Sequence, residues 1–354
     1  MKTIVRIICV LLVMCGILAL ASCKDDGTGD KNTDGTQGTD NESEVKYKAT
    51  EGLLVYYIYR AAYEFTEEDL IEHNFDAEKS LKDQMYDDGH TWYDILVERA
   101  ADNLTALLVW CNAAADDGVE LDSGDYQQIE GVLIQQRITA AAEGYTLDDY
   151  LANIYNNTYI TEAVLQAAYE FQHLSQKYSR VLEERFDKSL TEEMVAEQLG
   201  KDGSTDTTLT RNLGIIVLSA DKYGSIESAA AQAEKILGQL KEEQPTYERF
   251  EEYALQHSDS SDIYYKNVAK GDMLSEIDEW LYSAETRKIG DMDVIVSDYG
   301  ANIIYYESDG DPVNVANAKV KLVDKMFEDW FDQIKGKYGT LVPDGLIDAL
   351  ELDF

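Results

Sequence analysis

Four histidines occur in 354 residues, His73, His90, His173 and His257, and no two have the spacing of a metal-binding pair such as His-Glu-x-x-His. Each reads as a surface or helix-face residue. The chain carries no Gly-x-Ser-x-Gly nucleophile elbow, no phosphate-cradling loop ending in Gly-Lys and no dinucleotide fingerprint. Its 69 Asp and Glu residues follow from composition and single out no catalytic pair. Cysteine chemistry is equally sparse. Of Cys9, Cys15, Cys23 and Cys111, the first two lie in an apolar leader, so a processed chain keeps Cys23 and Cys111. Two cysteines are too few for a cysteine metal site. Cys111, inside Leu107-Leu108-Val109-Trp110-Cys111, reads as a buried thiol. The formal charge of −39 excludes a nucleic-acid partner, which needs a positive footprint.

The leader is a targeting segment, residues 1–22, with Lys2 and Arg6 ahead of an apolar core from Ile7 to Leu18. Leu20-Ala21-Ser22-Cys23 resembles the bacterial lipobox. The resemblance implies cleavage before Cys23, lipidation of its sulfur and a place on the extracytoplasmic face of the cell membrane. Lipidation of the Cys23 sulfur would leave Cys111 no disulfide partner within the chain. Residues 23–45, rich in Gly, Asp, Thr, Asn and Ser and without hydrophobic periodicity, read as a flexible tether.

Residues 46–205 read as a helical domain. Leu53 to Tyr59 tilts toward helix because Ala61-Ala62 follows. Trp92, Ile95, Leu96, Ala100, Leu104, Leu108 and Cys111 recur at helical spacing, and Asp116-Asp117-Gly118 closes that helix. A second runs from about Asp122 to Glu143 and stops at Gly144. Thr146, Thr161 and Thr191, each followed by acidic residues, mark further starts. Lys201 to Asp206 reads as a polar linker, Asp309-Gly310-Asp311-Pro312 as a break, and residues 313–354 as a closing segment. Its amphipathic helix, Lys319 to Ile334, carries Leu322, Val323, Met326, Phe327, Trp330 and Phe331 on one face.

Residues 211–308 have a different rhythm. Leu213 to Leu218 is a short β-branched run, suited to a buried strand. A helix follows with Ile226, Ala229, Ala233, Ile236, Leu237 and Leu240 inward, then another from Tyr247 to Gln256. Val294-Ile295-Val296 and Ile303 to Tyr306, joined at Asp298-Tyr299-Gly300, read as a hairpin. The chain is therefore expected to be α+β, a mostly helical domain plus an α+β domain with a small antiparallel sheet.

This last stretch resembles the parvulin family of peptidyl-prolyl isomerases. The likeness lies in Gly214-Ile215-Ile216-Val217, in Phe250-Glu251-Glu252-Tyr253-Ala254 before Ser258-Asp259-Ser260, in Gly271 to Ile277, and in Gly300-Ala301-Asn302-Ile303-Ile304. With the leader, tether and helical half, the order of parts resembles lipoprotein foldases of the PrsA and SurA type. The resemblance implies a proline-binding pocket lined by Met273, Ile277, Leu281 and Tyr282, and a tail that packs on the helical domain. It implies unfolded or newly secreted polypeptides as partners and no cofactor. The family's two strand histidines are replaced by Gly214 and Asn302, and its Gly-Gly-x-Leu-Gly run by Ser261 to Ala269. A folding factor with weak or lost isomerase activity is therefore expected. The rivals are an active isomerase, a surface interaction protein, and a solute-binding lipoprotein, which would show two lobes of alternating strand and helix.

Overall fold

The computed structural model describes residues 45–242, 246–260, 262–283, 287–350 and 352. The leader, Cys23 and the tether through residue 44 lie outside the described residues. The chain divides into two units: the described residues through Glu184 together with those from Phe327 onward, and Arg185–Met326.

The first unit is helical, in the order α1 (Glu51–Ala61), α2 (Glu67–Glu72), α3 (Trp92–Asp116), α4 (Ser123–Ala142), α5 (Leu147–Tyr155) and α6 (Glu162–Ser189). Hydroxyl and carboxylate caps start most of them. Thr50, Thr66, Thr91, Asp122 and Thr146 each accept a backbone N–H from the first turn, satisfying donors that have no intrahelical partner. The core comprises Leu54 and Ile58 of α1, Leu104 and Leu108 of α3, Leu133 of α4, and Leu174, Tyr178 and Leu182 of α6, all buried. Cys111 is buried and free, and desolvation pushes its thiol well up, so it is inert. Asn112, on α3, accepts the Lys46 and Tyr47 N–H groups at 2.9 and 3.0 Å and donates to the Tyr47 and Leu108 carbonyls. One buried amide therefore fixes the first described residues to the long helix.

The second unit holds the end of α6, then α7 (Glu192–Asp202), β1 (Leu209–Ser219), α8 (Ala220–Tyr223), α9 (Ile226–Glu242), α10 (Tyr247–His257), β2 (Tyr264–Val268), α11 (Ser275–Tyr282), β3 (Met292–Ser297), β4 (Gly300–Pro312) and α12 (Val313–Ile334). The unit division falls inside α6 and α12, and a short α13 (Asp344–Asp348) follows in the helical unit. The sheet is antiparallel throughout, in the order β2-β1-β4-β3. Strand period decides its two faces. Ile216, Leu218, Ala301, Ile303 and Tyr305 pack against α9 and α10, whereas Leu213, Ile215, Ile304 and Tyr306 pack with Ile277 and Leu281 of α11. The chain is thus α+β, with a helical unit and a small antiparallel sheet. Two lobes of alternating strand and helix are not seen among the described residues.

Two local expectations are corrected. The polar linker is shorter than expected, because α7 continues to Asp202 and Gly203 ends it at φ +64°. Asp309 to Pro312 is no break: β4 runs through it, pairing Arg211 with Asp309 and Leu209 with Pro312. Gly310 makes this possible, since a Cβ there would lie 2.3 Å from Thr210 Oγ1 and 2.5 Å from Asn267 Oδ1. Ser261 to Ala269 contains the edge strand β2, whose alternate residues face solvent and leave no apolar run to read.

Candidate crevice on the sheet face

On the α11 side of the sheet, at the end where β1 finishes and β4 begins, lies an open crevice of about 610 Å³. Ile215, Val217 and Leu218 of β1 form one wall, and Tyr299 to Asn302 of the hairpin form another. Asp272, Met273, Leu274 and Ile277 close it from the loop before α11, with Tyr265 of β2 beside them. Its side chains are mostly apolar, as in sites that hold a hydrophobic group and orient it with a few polar atoms.

The wall residues are held by specific contacts. The two-residue turn Asp298-Tyr299 links Ser297 to its partner Gly300. Gly300 has φ +144°, and a Cβ there would lie 2.2 Å from the Leu218 carbonyl, so only glycine fits. The loop carrying Met273 is fixed by two carboxylates: Asp272 Oδ2 accepts the Ala269 N–H at 2.7 Å and Asp278 Oδ2 accepts the Gly271 N–H at 2.6 Å. Across β1, Asp259 donates its N–H to the Val217 carbonyl at 2.8 Å, accepts the Ser219 N–H at 2.8 Å and pairs with Lys222. The segment Ser258-Asp259 therefore continues the edge of β1 as a substitute strand.

Few polar side chains reach the crevice. Asn302 is buried, at 7% exposure, and its amide hydrogen-bonds to no protein group among the described residues. Burial, with Asp262 adding, pushes the Tyr265 hydroxyl up, so it remains a protonated donor at neutral pH. No His lines the crevice. Among the described residues no group of three His, Cys, Asp or Glu side chains is placed to hold a metal ion.

The sequence-expected residues separate into three groups. Met273, Ile277 and Asn302 line the crevice. Leu281 and Tyr282 do not. Leu281 is fully buried behind Ile277, and the Tyr282 hydroxyl donates to the Val268 carbonyl at 2.7 Å while its ring lies under Arg211. Gly214 faces away altogether: a Cβ on it would meet Phe250 on the opposite face of the sheet. Asn302 instead pairs across β4–β1 with Val217, whose face also carries Ile215. Gly214 and Asn302 therefore lie on opposite faces of the sheet. Alternation along β1 carries the signal for the missed Ile215 and Val217, once Asn302 fixes which face is the crevice.

No protein-family model matches the chain, and no curated relative was found for it. Solved structures similar to it include three proteins named PrsA. PrsA from Bacillus subtilis is 14% identical, with a TM-score of 0.34, over 74% of this chain and 89% of that one. The foldase protein PrsA from Streptococcus pneumoniae is 16% identical, with a TM-score of 0.25, over 72% and 85%. The peptidylprolyl isomerase PrsA from Bacillus anthracis is 16% identical, with a TM-score of 0.23, over 68% and 97%. At TM-scores this low nothing about activity follows from them.

Proposed function

We propose that this chain is a lipid-anchored extracytoplasmic folding factor. It holds apolar segments of unfolded or newly secreted polypeptides, and its isomerase activity is weak or lost. The observation that carries this reading is the open apolar crevice on the sheet face, with Met273 and Ile277 on one side and the unpartnered Asn302 amide on the other. Met is adaptable and apolar, suited to a proline ring or another small hydrophobic group. Anchoring rests on the lipobox-like Leu20 to Cys23. Among the described residues no helix is long and apolar enough to cross a membrane.

Holding a segment is easier than isomerising it. Rotation about the prolyl amide faces a barrier of roughly 18–20 kcal/mol. Acceleration requires groups that favour the twisted amide over the planar one. Asn302 is one such group, but its cross-strand neighbours Val217 and Ile295 bring no donor or acceptor side chain to it.

The test uses the leaderless chain with Cys23→Ala. Cis-to-trans conversion of a proline tetrapeptide is followed beside aggregation of a reduced client. Suppressed aggregation with little acceleration is expected, and Met273→Ala should weaken the suppression. Turnover close to that of a competent parvulin would restore the active-isomerase reading. Aggregation that proceeds unchanged would remove the folding role and leave a surface interaction protein.

A further inference from the structure

Asp272 is the one charged side chain lining the crevice among the described residues. Its Oδ2 accepts the Ala269 N–H, and no Lys or Arg among the described residues pairs with it. Other carboxylates of the same unit do have cations: Asp259 has Lys222, Asp309 has Arg211, Asp311 has Lys319 and Asp187 has Lys266. Asp272 thus presents an uncompensated negative charge at the edge of an apolar site. Beside it, Leu274 and Tyr299 form a rim that is partly apolar and open, with Tyr299 at 75% exposure.

We infer that the crevice selects segments in which a Lys or Arg directly flanks the apolar residue it takes. This rests on the polypeptide-binding reading above and names the class of segment. Adjacent residues of an extended chain are about 3.8 Å apart at Cα, so a cation next to the seated residue is within reach of the crevice edge. Its methylene stem covers the Leu274 and Tyr299 rim while the charged end faces the carboxylate. The Tyr299 ring adds a cation–π surface. The overall charge of −39 draws basic segments toward any part of the molecule, an effect that salt screens. The Asp272 contribution differs in being local, so a single substitution separates the two.

The experiment is a fluorescence-anisotropy titration of the leaderless chain carrying Cys23→Ala. The probes are labelled Gly-Lys-Leu-Pro-Lys-Gly and its Gln and Glu counterparts, which place the flanking charge on both sides. The Lys peptide should bind roughly fivefold more tightly than the Gln peptide, the upper end for a partly exposed ion pair. The Glu peptide should bind more weakly still. Asp272→Asn keeps an oxygen for the Ala269 N–H and should bring the Lys and Gln peptides to near equality. Glu193→Gln, on α7 and outside the crevice lining, should leave the ratio unchanged. Equal affinities in the parent chain, or a preference that survives Asp272→Asn, would overturn the inference while leaving the crevice as a binding site. If no peptide binds, or Met273→Ala leaves binding unchanged, the binding reading of the crevice falls with it.

Discussion

An alanine at position 214 would put its Cβ 2.5 Å from Phe250 Cε1 and 3.1 Å from Tyr247 Cε2, closer than packed carbons sit. Either the Phe250 ring moves or β1 shifts, and overpacking of this kind typically costs about 1–3 kcal/mol. Gly214→Ala should therefore lower the urea midpoint, and adding Phe250→Leu should recover part of the loss because the two side chains share one space. Additive losses would mean that Gly214 is not held by Phe250. The same geometry explains which site residues were legible in the sequence. Met273, Ile277 and Asn302 sit in recognisable local runs, and they do meet at the crevice. The face that Gly214 takes was not legible, because a slip of one residue along a strand moves a side chain to the other face. In the apolar run Leu213 to Leu218 both faces are buried, so no polar residue marks which is which. That Leu281 and Tyr282 lie outside the crevice lining was not legible for a related reason: an apolar or aromatic residue on a short helix serves a core as well as a pocket.

At the scale of elements, helix starts were the most legible feature, because a capping oxygen acts within its own first turn. Asp122 is the clearest case. It caps α4 through the Gly124 and Asp125 N–H groups and reaches Lys177 on α6 at 2.7 Å. The Lys177 hydrogen bond, then the two backbone N–H groups, hold its carboxyl down from an ordinary 3.8 to about 2. The unfolded chain therefore takes up the proton first as pH falls. The contribution of Asp122 to stability is complete above about pH 4 and is lost as pH drops through about 2. Asp122→Ala should be less stable than the parent chain at pH 5, and the gap should close toward pH 2, as read from urea midpoints across that range. A gap constant with pH would show that the cap acts through shape and not charge. The edge strand β2 and the extension of β4 through Asp309 to Pro312 were not legible for the opposite reason. Their existence depends on pairing with β1, a partner remote in sequence, and on Gly310 leaving room for the Asn267 and Thr210 side chains.

At the scale of the whole chain, the helical unit is assembled from two stretches separated by the entire sheet unit. The apolar face of the last long helix was legible from its period, whereas its packing on the helical domain was expected from the resemblance alone, because nothing local ties Trp330 to a residue more than two hundred positions earlier. Trp330 lies 4.5 Å from Trp110 and 5.9 Å from Tyr178, ring centre to ring centre, with Phe327 also 6.0 Å from Trp110. Just beyond, Lys337 and the Tyr338 hydroxyl both meet Asp116, at the end of α3. Closing so long a loop costs conformational entropy that local helix formation does not repay. The aromatic contacts must offset it, and an aromatic pair adds roughly 0.5–1.5 kcal/mol beyond the area it buries. Trp330 is half-buried, so its burial contributes less than that of a core Trp. Trp330→Ala should cost about 2 kcal/mol, and the loss should appear in one unit. In hydrogen exchange, amides of α3 around Leu104 and Leu108 should open faster, while those of β1 and β4 around Ile215 and Ile304 keep their protection. Equal acceleration in both would mean that the chain unfolds as one cooperative body, and the division into two units would then have no energetic meaning.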